Sequence, residues 1–149
     1  SIQLTGVYDV KLTELLAHVL KELGSKAALV IYGAKGLDEL NPTGVNRVSH
    51  LRNGAVETYD LNPADLGLAP CTVQDLRGGT PDESAEMMRQ ILSGSLKGAR
   101  RDAVLLNTAA ALAAETGDFK PALAEAETSL NSGAALNKLN ALIEFTKSA

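Results

Sequence analysis

The stretch AALVIYG, residues 27–33, decides the fold of this chain. It is short, apolar, β-branched near its end and closed by glycine, a pattern that indicates a buried strand. Two adjacent acids, Asp38 and Glu39, follow it within the stretch GLDEL. Open α/β sheets bind ligands just beyond the carboxyl ends of their strands. The two acids are therefore expected where a ligand would lie.

Before this strand, the sequence predicts another strand and a helix. Apolar residues indicate a strand over Ile2–Tyr8, after which Asp9 can cap a helix. Apolar side chains then recur at three- and four-residue spacing as far as Gly24, which is typical of an amphipathic helix that ends in a glycine C-cap. A strand, a helix and a strand in this order make a βαβ unit, in which the two strands run parallel.

After the strand, the sequence predicts a β-hairpin. Val45–Leu51 and Ala55–Leu61 have the character of extended segments. The dipeptide Asn53-Gly54 lies between them, and it is the pair that a tight hairpin turn prefers because both positions need a positive φ.

The second half of the chain has helical periodicity. Thr80 can cap a helix that has Pro81 at its first position and Glu83 as the partner in a capping box. Three further helices are predicted: one from about Asp102 to Thr116, one that starts at Asp118, and one that follows Ser132-Gly133.

Together these elements predict the α/β fold class, with residues 1–149 as a single domain. A partial parallel sheet, made of the βαβ unit and the hairpin, would be covered by the C-terminal helices. The first residues already have the character of a strand, and three or four strands make a small sheet. We therefore expect partner strands to lie outside this sequence.

Composition excludes several classes of protein. The net charge of −4 and the pI near 5.2 argue against sequence-independent binding of nucleic acid, which needs a basic surface. The single cysteine, Cys71, allows no intrachain disulfide, which fits a cytoplasmic protein. Apolar runs are all shorter than the ~20 residues of a membrane span, so no membrane association is expected.

The acidic pair is the main candidate for chemistry. Mg²⁺ takes oxygen ligands, commonly one or two carboxylates with waters and substrate phosphates in the remaining positions. Asp38 and Glu39 could serve one ion if the backbone turns near them, and Gly36 permits such a turn. Taken by itself, an acidic pair in a loop is more often solvated surface.

Other candidate residues have simpler interpretations. The glycines of LRGGT, residues 76–80, could hold an anion before a helix, but a close-packed turn into a capped helix is the simpler interpretation. Arg100 or Arg101 could bind phosphate, or one of them could pair with an acid such as Asp102 at the surface. Asn107 is expected to be a satisfied core amide. Neither His18 nor His50 has a partner at the spacing of a triad or a zinc site.

The order of several motifs resembles a known family. The chain contains GLDE at 36–39, PTG at 42–44, the Asn53-Gly54 turn, DLRGG at 75–79, RRDAVLLN at 100–107 and SGAAL at 132–136. This series is similar to the C-terminal part of anthranilate phosphoribosyltransferase, and the resemblance covers essentially the whole chain. It departs locally at YGAK, residues 32–35, where the family often has a histidine and an acid.

The resemblance implies a function and a place for the acidic pair. Members transfer phosphoribose from phosphoribosyl pyrophosphate to anthranilate and release pyrophosphate, in tryptophan biosynthesis. Their catalytic domain is of the glycosyltransferase and nucleoside phosphorylase-like kind. In them, the acids matching Asp38 and Glu39 bind the Mg²⁺ that engages pyrophosphate.

The resemblance also implies what this sequence does not contain. The glycine-rich phosphate loop, the anthranilate-binding residues and the helical domain of the homodimer would all precede Ser1. We therefore expect the chain alone to be inactive and to have no catalytic residue of its own. The alternatives are a related phosphoribosyltransferase or phosphorylase-like homologue with another acceptor, and a non-catalytic interaction module.

Overall fold

Four strands form one sheet, in the order β1-β2-β3-β4, in the computed structural model, which describes residues 1–148. Their bounds are β1 Ile2–Gly6, β2 Ala27–Tyr32, β3 Asn46–Arg52 and β4 Ala55–Leu61. β1 and β2 are parallel, whereas β3 and β4 are each antiparallel to the strand before them. The helix α1, Leu12–Glu22, connects the parallel pair. The predicted βαβ unit followed by a hairpin is confirmed, although β1 ends two residues before Tyr8.

The hairpin turn has the geometry that its sequence predicts. Asn53 and Gly54 both lie in the left-handed region, with φ of 52° and 76°. Both values match the turn whose twist suits two antiparallel strands. As a result, Arg52 pairs with Ala55 directly across the turn.

Four helices follow the sheet, and three short 3-10 turns lie in the loops. The helices are α2 Pro81–Leu92, α3 Ala99–Ala113, α4 Phe119–Asn131 and α5 Ala134–Lys147. The 3-10 turns are Ala34–Gly36, Pro63–Leu66 and Val73–Leu76. Of the helices within residues 1–148, none is long and apolar enough to cross a lipid bilayer.

Helix α2 begins as predicted, whereas α3 begins earlier. Thr80 and Glu83 form the reciprocal capping box at the start of α2. Helix α3 starts at Ala99, three residues before the predicted Asp102. Gly98 serves as the N-cap there, and Asp102 lies in the first helical turn, where a negative charge is favourable at the positive end of the helix dipole.

The sheet is covered on both faces. Leu29 and Ile31 of β2 pack with α3 and α4 in the larger cluster, whereas Val30 packs with Ala17 of α1 on the other face. All residues of β2 except Tyr32 are buried, which confirms the buried strand predicted from its sequence. Helix α5 lies outside this arrangement, because none of its described residues is buried.

Candidate functional site

The backbone of the acidic pair lies across the carboxyl ends of β1 and β2. A methyl group placed on Gly6, the last residue of β1, would lie 1.6 Å from the carbonyl oxygen of Asp38. A methyl group on Gly33, directly after β2, would lie 1.9 Å from the carbonyl oxygen of Glu39. Since no Cβ tolerates such distances, two glycines make the room that the acidic pair occupies.

The carboxylates of Asp38 and Glu39 are exposed and unpaired. In residues 1–148, neither side chain accepts a hydrogen bond or joins an ion pair. The same part of the chain contains no cluster of three or more metal-ligating side chains. The chain therefore offers two carboxylates, the number that Mg²⁺ commonly takes from a protein when phosphates complete its coordination. The donor set fits that ion.

A cavity of about 510 Å³ opens beside the acids. The sheet contributes one wall, and α3 contributes the other through Ala103, Val104, Asn107 and Thr108. Asp38 and Glu39 also line it, and its apolar surface includes Leu4 and Ile31. The cavity therefore combines an apolar wall with a negatively charged edge.

Two buried asparagines shape the loop that carries the acids. The Asn46 side-chain oxygen accepts hydrogen bonds from the backbone N–H groups of Ala34 and Asn41, at 3.1 and 3.0 Å. The Asn46 side-chain nitrogen donates to the carbonyls of Asn41 and Gly44, both at 3.1 Å. Asn41 in turn donates to the Ala34 carbonyl at 3.0 Å. These bonds close residues 34–46 into a fixed loop.

The sequence reasoning missed this asparagine network. Both side chains are almost completely buried. The only signal in the sequence is that Asn41 and Asn46 flank the turn PTG at 42–44, and asparagine is common in turns whatever its role.

Asn107 joins helix α3 to the end of the same loop. Its side-chain oxygen accepts from the Leu40 N–H at 3.0 Å, and its side-chain nitrogen donates to the Leu40 carbonyl at 2.7 Å. The nitrogen also donates to the Ala103 carbonyl at 2.9 Å. These bonds confirm that the Asn107 amide is satisfied, but the residue is half-buried at the cavity rather than in the core.

The turn before the acids contains a residue in an unfavourable conformation. Lys35 has a φ of 64°, and Gly36 after it has a φ of 86°. A non-glycine residue in the left-handed region costs energy, and such residues are concentrated at ligand-binding positions. The backbone turn expected at Gly36 is present.

One of the two neighbouring arginines pairs with an acid, as expected, but the acid is Glu127 rather than Asp102. Arg100 donates to the Arg77 carbonyl at 2.8 Å, and Arg101 lies 3.7 Å from the Glu127 carboxylate. Asp102 takes part in none of the ion pairs within residues 1–148, and burial raises the pKa of its carboxyl. The stretch of residues 76–80 leads into the capped start of α2 as expected, but residues 77–80 are exposed rather than close-packed.

The histidines lie away from the acids. His18 is exposed on α1, 4.0 Å from Glu14. His50 is buried on β3, pairs with Leu29 near the start of β2, and donates from Nε2 to the Ala114 carbonyl at 2.8 Å. Burial lowers the pKa of His50. Neither histidine therefore contributes to the cavity.

A sequence model of the glycosyl transferase family, a/b domain, matches residues 1–136. The chain belongs to this glycosyl transferase family. Within the family, its similar relatives include the anthranilate phosphoribosyltransferases of Moorella thermoacetica, at 47% identity over 148 residues, and of Desulfatibacillum aliphaticivorans, at 44% over 147 residues. The matches cover 98% and 97% of this chain, so the resemblance deduced from its motifs is confirmed.

Solved structures of anthranilate phosphoribosyltransferases have the same fold. The anthranilate phosphoribosyltransferase of Thermus thermophilus is 34% identical, with a TM-score of 0.86 over 95% of this chain and 42% of its own. The enzyme from Saccharomyces cerevisiae in complex with PRPP and Mg is 27% identical, with a TM-score of 0.89 over 99% and 43%. The chain spans 43% of the length of each of the two curated relatives.

Proposed function

We propose that this chain forms the part of an anthranilate phosphoribosyltransferase that holds Mg²⁺ and the pyrophosphate of phosphoribosyl pyrophosphate. One observation carries the proposal. Asp38 and Glu39 are two unpaired carboxylates held by their backbone at the carboxyl ends of parallel strands, beside a cavity. The relatives with this name and the yeast complex with PRPP and Mg support it.

The chain's own residues would bind and orient rather than react. The transfer breaks the bond from ribose C1 to a pyrophosphate oxygen, forms a bond from C1 to the anthranilate nitrogen, and releases a proton from that nitrogen. When bound by Asp38 and Glu39, Mg²⁺ would supply positive charge for the departing pyrophosphate. The loop of residues 34–46 is already closed by the asparagine network, so little ordering of the carboxylates would be needed on binding.

Three further statements belong to the same proposal. Residues 1–149 form one domain, because the sheet, α3 and α4 share a single hydrophobic cluster. The chain alone does not catalyse the transfer, since it spans less than half of the relatives' length. The whole protein works in the cytoplasm as a homodimer in tryptophan biosynthesis, as the family resemblance implies.

Calorimetric titration of the chain with Mg²⁺ and pyrophosphate tests the site. Binding should require both components and should be lost in the double variant Asp38→Asn with Glu39→Gln. A matched control is Asp65→Asn with Glu125→Gln, which removes the same two charges at exposed positions away from the cavity. Equal affinity of the two double variants would refute the metal role.

A chimaera tests the activity. This chain would replace the matched 148-residue segment of the Moorella thermoacetica enzyme, and anthranilate-dependent release of pyrophosphate would be measured. Activity that depends on Asp38 and Glu39 supports the proposal. A chimaera that folds and binds Mg²⁺–pyrophosphate but does not use anthranilate points to another acceptor, and a chain that binds neither component points to an interaction module.

A further inference from the structure

Asn107 is connected to the acidic pair through a single residue. Its side-chain amide binds both backbone polar groups of Leu40, the residue directly after Glu39. Within residues 1–148, no other hydrogen bond joins α3 to the loop of residues 34–46. The position of Glu39 therefore depends on the position of α3.

The Asn107 side chain has no hydrogen-bond donor left for a ligand. A side-chain amide has two N–H donors, and Asn107 uses both, one for Leu40 and one for Ala103. Asn107 lines the cavity, but it has no free donor for a phosphate. Its N–H groups can therefore affect a bound phosphate only through the backbone they hold, and on the acid loop that backbone is Leu40.

Leu40 is the buried point at which the loop is attached to α3. Its exposed fraction is 0%, so its backbone N–H and carbonyl have no access to water. If the Asn107 amide were removed, two buried polar groups would lose their partners, at a cost that a shift of the loop toward water would relieve. The acids precede Leu40 by one and two residues, so this movement would reach both of them.

We propose that Asn107 is a positioning residue that holds Asp38 and Glu39 in place for Mg²⁺–pyrophosphate by binding the Leu40 backbone. The inference rests on the proposed function of the acidic pair. It assigns to helix α3 a role in the metal site although α3 supplies no ligand. Partners that orient metal ligands commonly change metal affinity about 10- to 100-fold when they are removed.

The test compares Asn107→Leu with two control variants of the 149-residue chain. Thr128→Ala alters an exposed helical threonine on α4 that does not line the cavity, and Leu130→Ala destabilises the core on α4, away from the cavity. Calorimetry with Mg²⁺ and pyrophosphate gives both the Kd and the stoichiometry. Amide hydrogen exchange at Leu40 reports directly whether its N–H is protected.

We expect Asn107→Leu to raise the Kd about 10- to 100-fold at unchanged stoichiometry and to accelerate exchange at Leu40. The Leu130→Ala variant should lose stability and keep the wild-type Kd, which separates positioning from general destabilisation. Thr128→Ala should also keep the wild-type Kd.

Two other results would overturn the inference in distinguishable ways. If Asn107→Leu accelerates exchange at Leu40 but leaves the Kd unchanged, the acids do not need this anchor, and the proposed function still holds. If the wild-type chain binds no Mg²⁺–pyrophosphate, the proposed function fails and the inference fails with it.

Discussion

At the scale of single residues, Gly6 and Gly33 control how closely the acidic pair approaches the sheet. Each contacts a backbone carbonyl of the pair at a distance that excludes a side chain. The two glycines therefore matter because they leave space for the backbone of the acidic pair. Substituting a glycine tests this space without removing a carboxylate.

The change Gly6→Ala should displace the Asp38 backbone and destabilise the protein. Overpacking of this kind typically costs about 1–3 kcal/mol, and the Kd for Mg²⁺–pyrophosphate should rise as well. Urea unfolding and calorimetry measure the two effects. The control is Gly78→Ala, where the added methyl group meets its nearest neighbour at an ordinary 3.6 Å. Equal stability of the two variants would contradict the packing described for Gly6.

His50 should make the stability depend on pH. Burial lowers its pKa in the folded state, so below the ordinary histidine pKa of about 6.5 the unfolded chain binds a proton that the folded chain does not. The contribution of His50 is therefore present at neutral pH and is lost as the pH falls from about 6.5 toward the lower folded-state pKa. The variant His50→Gln should show a smaller loss of unfolding free energy on acidification. If the unfolding free energies of the wild-type chain and the variant fall in parallel as the pH is lowered, His50 is not the source of the pH dependence.

At the scale of elements, the start of α2 depends on local side-chain bonds. Thr80 Oγ1 accepts from the Glu83 N–H, and the Glu83 carboxylate accepts from the Thr80 N–H at 2.7 Å. This helix buries only Ile91 among its residues. Its end bonds are therefore a large part of what stabilises it.

The change Thr80→Ala should cost about 1 kcal/mol in the free energy of unfolding, the usual cost of losing such a cap. Urea unfolding followed by circular dichroism measures it. Ser129→Ala is the control, since Ser129 is exposed on α4 and alanine is a better helix former. If both variants unfold at the same urea concentration, the capping box contributes nothing.

Elements with local determinants could be predicted from the sequence. The β2 strand, the Asn53-Gly54 turn and the start of α2 are each specified by neighbouring residues, and all three are confirmed. The start of α3 was placed three residues late because Gly98 provides the N-cap through its backbone, without a capping side chain. Local sequence patterns do not reveal a helix start of this kind.

The site could be predicted only in part, because its support is not local. The acids were found from their place after β2. The Asn107–Leu40 pair spans 67 residues of sequence, and the pairing of Arg101 with Glu127 joins two helices. Such contacts depend on how elements pack, which the spacing of residue types does not encode.

At the scale of the whole molecule, the sheet and α3–α4 form the core, and α5 lies at its periphery. The family match ends at residue 136, near the start of α5. Leu142 and Phe145 are the large apolar residues most exposed on this helix. The core should therefore be independent of α5.

Removal of residues 133–149 should leave a chain that unfolds cooperatively and binds Mg²⁺–pyrophosphate with unchanged Kd. The reason is that none of the described residues of α5 is buried. Differential scanning calorimetry and titration measure the two properties. Removal from residue 118 onward is the control, because it deletes the buried side chains of α4 and should unfold the protein. Loss of the cooperative transition in the shorter truncation would show that α5 belongs to the core.

The antiparallel direction of β3 separates the hairpin tip from the acids. Arg47, near the start of β3, pairs with Tyr32 at the end of β2 beside the acids, whereas Leu51 pairs with Ala28 near the β2 start. The seven residues of β3 place Asn53-Gly54 roughly 20 Å from that end. An exposed tip at such a distance is a permissive site for a peptide tag or a fluorescent reporter, which could follow folding of the chain without disturbing its ligand chemistry.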